Sequence, residues 1–219
     1  MIFDWKFAWQ ITPTLGEALV VTVQATVLGM LIAMSLGLAL AVARRSRSRL
    51  VSWPIALFIE FTRSTPLLVQ IYFLFYVLPA AGVRFSPLAT GIVALGVHYS
   101  AYCSEVYRAG IEGIPKGQWE AATALNLSRW HLWRDIVVPQ AIPPVVPALG
   151  NYLVAMFKDT PLLSAITVLE VLQTAKIIGS ETFRYVEPLT ITGALFLVLS
   201  LGSATLIRRV EKWLKVRGA

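Results

Sequence analysis

IEGIPKGQWEAATALNLSRWHLWRDIVVP, residues 111–139, lies between two long apolar regions of a 219-residue chain. A connection of about thirty residues is long for mere linkage, and loops of that length usually carry function. This one also carries its own structural signals. Residues 118–125 are built of helix formers with almost nothing to interrupt them. Ser128 is the N-cap candidate of a second helix, whose apolar Leu132, Trp133, Ile136 and Val137 recur at helical spacing. Asn126 stands between the two, and asparagine tolerates a left-handed backbone better than most residues with a side chain. The local expectation is helix, tight turn, helix, ended by Pro139. Basic Arg108, Lys116, Arg129 and Arg134 alternate with acidic Glu105, Glu112, Glu120 and Asp135. Short amphipathic helices held at a membrane face read as a docking element.

The rest of the chain supplies the membrane. Hydrophobic residues make up 57%, charged residues only 14%, and the mean hydropathy is +0.69. Soluble domains are nearer a quarter charged, so this is an integral membrane protein. The net charge of +7 would suggest nucleic acid in a soluble protein. Here it gathers beside apolar spans and reports topology, and no nucleic-acid partner is expected. Cys103 is the single cysteine, which excludes an intrachain disulfide. Residues 1–17 carry Asp4, Lys6 and Glu17 among Phe3, Trp5, Phe7 and Trp9. That pattern reads as an interfacial aromatic anchor outside the membrane rather than a cleavable signal peptide.

Residues 18–43 contain no charge and suffice for a tilted span. Gly29, Ser35 and Gly37 could admit a close helix neighbour there. Arg44, Arg45, Arg47 and Arg49 follow at once and mark a cytoplasmic flank. Residues 54–81 form a second apolar region, interrupted where Glu60 and Arg63 precede Pro66, a residue that favours a kink or fresh start. Residues 88–109 make a third span, with a polar stripe of His98, Tyr99, Ser100 and Tyr102 and with Glu105 and Arg108 near its end. Residues 141–172 make a fourth region, broken at Lys158, Asp159, Thr160 and Pro161. Residues 173–188 read as a polar connection, 189–207 as an uncharged last span, and 208–219 as a basic cytoplasmic tail. Five spans put the termini on opposite sides. The distribution of Lys and Arg then places the N-terminus outside and the C-terminus and residues 111–139 in the cytoplasm. The expected class is an all-α membrane protein, with its transmembrane domain at residues 18–207.

The charges within the spans admit two readings each. Glu60 and Arg63, three apart, either pair along a helix face or belong to a pathway or its gate. Glu105 and Arg108 share that spacing. Lys158 and Asp159 either neutralise one another or mark a broken-helix substrate site, as in many transporters. His98 has no second histidine or cysteine at metal-ligand spacing, so packing or water contact is the expected role. Catalytic patterns are missing from the sequence: there is no G-x-x-x-x-G-K-[ST], no G-x-S-x-G, no H-E-x-x-H and no C-x-x-C. No enzyme activity, metal or cofactor is expected.

One resemblance spans about residues 15–210. Glu120-Ala121-Ala122, then Asn126, then Ile136 and Pro139 resemble the EAA motif of ABC importer permeases, E-A-A-x3-G-x9-I-x-L-P. The spacing matches throughout, with Asn126 at the glycine and Val138 at the leucine. Pro147-Ala-Leu-Gly150-Asn151, Lys158-Asp159-Thr160-Pro161-Leu162 and Arg63-Ser-Thr-Pro66-Leu-Leu-Val-Gln70 are similar to segments of its polar amino-acid branch, with Pro161 at a serine position. The resemblance implies a five-span permease of MetI-like fold in a bacterial inner membrane, paired with a second copy or paralogue. It also implies separate ATPase subunits that bind the ATP, and a substrate-binding protein. Glu120, Ala121, Ala122, Leu125, Asn126, Ile136 and Pro139 are then the residues of ATPase coupling. Glu60, Arg63, His98, Glu105, Lys158 and Asp159 remain the candidates for pathway or gate. The opening MIFDWKFAW resembles permeases for ectoine within the same branch. The competing class is a self-contained secondary transporter, which would be expected to carry internal repeats and its own coupling-ion site. A third class is a structural membrane protein whose long loop merely packs.

Overall fold

The computed structural model describes residues 3–217, with side chains through Trp213. Met1 and Ile2 of the aromatic segment, residues 218–219 and the side chains of Lys215 and Arg217 in the basic tail lie outside that description. Among the described residues all regular structure is helical.

Helix α1 runs from Trp5 to Arg44. Asp4 caps it, its Oδ1 accepting the backbone N–H groups of Lys6 at 2.9 Å and Phe7 at 3.1 Å, which satisfies donors that a helix start leaves open. The aromatic segment is therefore the first turns of the same helix that carries residues 18–43. Trp5 and Trp9 point outward. Ile11, Leu15 and Ala18 instead bury against a later helix.

Helix α4 (Pro87–Glu112) packs along α1. Ser86 caps it through Ala89 N–H, and Pro87 occupies the first turn, where a missing N–H costs nothing. The two helices approach closely at Gly37. A Cβ there would lie 2.7 Å from Cys103 Cβ and 2.9 Å from the Ser100 carbonyl. Ser35 takes no part, turning outward to bond the Leu31 carbonyl.

Helices α2 (Arg49–Ser64) and α3 (Leu67–Tyr72) meet at Thr65 and Pro66 with a bend of 108°, the fresh start that Pro66 foretells. The chain then continues through a π-helical turn, Phe73–Val77, and a 3-10 turn, Leu78–Ala81. The long loop yields α5 (Lys116–Ala124), the short α6 (Arg129–His131) and a π-helical turn, Leu132–Val137. That turn flows directly into α7 (Val138–Asp159). Pro139 therefore does not end the second helix. The π-helical turn shifts the ladder by a residue just before it, so the N–H that proline lacks falls where the bonding pattern changes.

After α7, a 3-10 segment from Thr160 to Ile166 ends at Thr167, whose φ is 62°. Residues 173–188 are not a plain connection: α8 (Val171–Thr182) occupies most of them. Its polar composition hides an apolar face, Val171 and Ala175, that packs on α1. Glu170 caps it from a fully buried position, accepting from Leu172 N–H at 2.8 Å and Gln173 N–H at 2.7 Å. The last helix, α9, spans Val186–Arg217.

Among the described residues three helical runs are long and apolar enough to cross a membrane: Trp5–Arg44, Arg129–Ile166 and Val186–Trp213. The bent pair of α2 and α3 would make a fourth. Helix α4 falls short on composition because of its polar stripe, yet its Ala94, Leu95, Tyr99 and Cys103 sit inside the main core with residues of α1 and α7.

Candidate functional site

The loop between α4 and α7 folds as a small platform. Helix α5 ends in a Schellman arrangement: Asn126 N–H bonds the Thr123 carbonyl at 3.0 Å and Leu127 N–H the Ala122 carbonyl at 3.0 Å. Asn126 takes the left-handed conformation this requires, with φ at 51°. Ser128 caps α6, its Oγ accepting from His131 N–H at 3.4 Å. Beneath α5, Ile111, Ile114, Val137 and Ala141 form a separate apolar cluster, roofed by Trp119, Leu132 and Trp133. The Trp119 and Trp133 rings meet edge to face at 6.1 Å, and the Arg45 guanidinium lies 5.8 Å from the Trp133 ring. Gln140 Nε2 reaches Gln118 Oε1 at 3.3 Å, fastening α5 to α7.

The EAA-motif residues divide between the two sides of this platform. Ala122 is buried, and Ile136 is half-buried. Glu120, Ala121, Asn126 and Pro139 are exposed, as is Leu125 at 72%. Leu127 and Trp130, the latter 68% exposed, extend the apolar part of that surface beyond the motif. Large apolar side chains exposed together mark a surface for protein or membrane contact.

A second grouping lies within the helices. Asp159 accepts a hydrogen bond from Tyr99 Oη at 2.6 Å. The rings of Tyr99, Tyr102 and Tyr152 lie 5.5–6.1 Å apart, and His98 packs on the first two. Arg63 places its guanidinium 5.6 Å from the Tyr102 ring. Gln70 faces His98, Oε1 to Nδ1 at 3.1 Å, while its Nε2 donates to the Thr62 carbonyl at 2.8 Å and to Thr65 Oγ1 at 2.7 Å. With the amide nitrogen so committed, Oε1 is the acceptor and His98 Nδ1 donates.

Several expectations need correction here. Lys158 and Asp159 do not neutralise each other. Consecutive helical side chains diverge by about 100°, and Asp159 turns to Tyr99 while Lys158 is exposed without an acidic partner among the described residues. Glu60 and Arg63 approach only to 4.0 Å, and Glu60 is open to its surroundings. Their pairing is weak, and Arg63 is engaged by Tyr102. Glu105 lies apart from this cluster in an ion network, bonding Arg44 of α1 and Arg108, which reaches Glu112 in turn. Gln70, Tyr152 and the tyrosine partnership of Asp159 escape sequence reasoning. An amide inside an apolar run was the available signal for Gln70.

At the other end of the bundle, Arg184 ties α1 to α9. It lies 3.2 Å from Asp4 Oδ2 and 2.9 Å from Glu187 Oε1, with its guanidinium 4.3 Å from the Phe7 ring. The Phe7 N–H and then Arg184 hold the Asp4 carboxyl below its ordinary 3.8.

An all-helical bundle with several membrane-length helices and a packed platform between two of them is the architecture of a membrane permease subunit. The comparisons with known proteins agree. The sequence profile described as "Binding-protein-dependent transport system inner membrane component" matches residues 14–216, and the chain belongs to that family. A probable amino-acid ABC transporter permease of Sinorhizobium fredii is 49% identical over 98% of this chain and 93% of its own length. The glutamine transport system permease protein GlnP of Escherichia coli is 32% identical over 99% and 100%. A crystal structure of an amino acid ABC transporter with histidines superposes with a TM-score of 0.91 at 33% identity, covering 97% of this chain and 99% of that one. A chain of the inward-facing MetNI methionine ABC transporter shares the fold, with a TM-score of 0.73 at 18% identity and the same coverage.

The protein is thus an ABC importer permease subunit of MetI-like fold, a non-catalytic inner-membrane component whose family implies ATPase and binding-protein partners. Membership removes the secondary transporter and the purely structural protein. The ectoine resemblance gains no support. It rested on a short terminal segment whose tryptophans face outward, whereas the relatives match along the whole chain.

Proposed function

We propose that this chain, with a second copy or paralogue, forms the translocation pathway for a polar amino acid and is driven through residues 111–139. Glu120, Ala121 and Leu125, with Trp130 beside them, enter a groove on the ATPase, while Ala122, Ile136 and the tryptophan pair hold the platform to α4 and α7. The carrying observation is the exposed Leu125, Leu127 and Trp130, from the end of α5 into α6, on a packed base. A helix seated in a groove transmits rigid-body motion because its contacts are packed apolar surface.

Five crossings serve this role: α1, the bent α2–α3 pair, α4, the run from Arg129 to Ile166, and α9. The N-terminus lies outside and the C-terminus in the cytoplasm, consistent with the arginines at 44–49 and the basic tail. The substrate is a zwitterion. Arg63 and Asp159 offer opposite charges beside one tyrosine patch, Arg63 on Tyr102 and Asp159 on Tyr99, and relatives named for glutamine and cystine transport support an amino acid.

Reconstitution with ATPase and binding protein tests the assignment. Glu120→Arg is expected to abolish uptake and to make ATP hydrolysis insensitive to liganded binding protein. Asp159→Asn is expected to raise the transport KM while leaving the ATPase attached. Solute uptake by the purified chain alone, down an ion gradient, would overturn the reading.

A further inference from the structure

Between the end of α1 and the start of α2 lies an open groove of about 610 Å³, lined by Arg44, Arg49, Leu50, Ser52, Trp53 and Ala56. Arg47 lies on the turn that connects α1 to α2, two residues before Arg49. Arg44 is occupied by Glu105 and Arg45 by Trp133. Arg47 and Arg49 are exposed and have no acidic partner among the described residues. Two free guanidiniums at the membrane edge suit a phosphodiester, which accepts from arginine in bidentate fashion.

The apolar surface next to them has a matching direction. Leu50 is 89% exposed and Trp53 69%, and Leu57 and Phe61 continue the exposed stripe along α2 at helical spacing. From Leu50 to Phe61 the stripe extends about 16 Å at helical rise. One leaflet of hydrocarbon is about 15 Å deep. Positive charge therefore sits at the head of an apolar track one acyl chain long, with a tryptophan at the junction, where membrane proteins favour that residue.

We propose that this groove is a binding site for one anionic phospholipid, with its phosphate on Arg47 and Arg49 and an acyl chain along Leu50, Trp53, Leu57 and Phe61. The site goes beyond the coupling role and needs neither the ATPase nor transport to be observed.

Native mass spectrometry of the purified full chain in detergent, titrated with phosphatidylglycerol or phosphatidylcholine, tests it. Phosphatidylglycerol is expected to bind preferentially, and millimolar glycerol 3-phosphate, which lacks the chains, is expected not to displace it. Arg47→Gln with Arg49→Gln is expected to weaken binding about 30-fold, from roughly five-fold per arginine near an anionic lipid. Arg208→Gln with Arg209→Gln removes the same charge from the basic tail and is expected to leave it unchanged, as is Glu120→Arg. Equal losses in the two arginine pairs would reduce the site to general charge and overturn the proposal. So would displacement by glycerol 3-phosphate, which would make it a soluble-phosphate site. Unchanged lipid binding in Arg47→Gln with Arg49→Gln, accompanied by loss of ATPase copurification, would assign the groove to a protein partner and overturn it equally.

Discussion

The side-chain amide of Gln70 donates at 2.8 Å to the carbonyl of Thr62, the group that Pro66, lacking an N–H, cannot bond four residues on. One side chain thus closes the gap that the proline opens, and its oxygen then holds His98 of α4. The 108° bend is a bonded joint. Gln70→Leu leaves the Thr62 carbonyl and His98 Nδ1 unpaired, at about 1–3 kcal/mol for a buried unsatisfied group. A lowered thermal midpoint of the detergent-solubilised protein checks this.

Asn126 closes the α5 cap with a left-handed backbone that a β-branched residue resists. Asn126→Val is expected to cost about 1–2 kcal/mol locally and to reduce ATPase copurification. Asn126→Gly is expected to retain it, since glycine adopts the same backbone freely. Equal behaviour of the two variants would remove the cap from the account of the platform.

Gly37→Ala drives a methyl into Cys103 and the Ser100 carbonyl. Overpacking of this kind costs about 1–3 kcal/mol. Gly16→Ala, where nothing lies within 4 Å, is expected to be neutral or stabilising by up to about 1 kcal/mol from helix propensity. Paired melting curves separate the two.

Asp4 gives the N-terminal end of α1 a pH dependence. Its folded carboxyl titrates below 3.8, so its contribution is complete above that pH and is lost as pH falls through the folded value. Wild type is expected to melt above Asp4→Asn at neutral pH. The difference should shrink to nothing in acid, and a difference that grew on acidification would contradict the sign.

Much of this was legible because local signals and tertiary demands agree. Asn126 is left-handed where the helix–turn–helix pattern needs it, and Pro66 breaks the chain where its missing N–H requires. The failures share a cause: the deciding partner lies far along the chain or across a change of helix type. Asp159 follows Lys158, yet its partner is Tyr99, 60 residues earlier. Pro139 obeys the rule that proline interrupts an α-helical ladder, but the π-helical turn before it has already altered the ladder. Half of the residues of helix α8 are polar, and only its contacts with α1 and α9 reveal which face is buried.

Helix α1, 40 residues long, reaches about 60 Å, twice the thickness of the hydrocarbon it crosses. It is fastened at one end by Asp4 to Arg184 and at the other by Arg44 to Glu105. Such a rod is a lever. Pivoted at the first fastening, a tilt of about 5° swings the second through about 5 Å, the rise of a full helical turn.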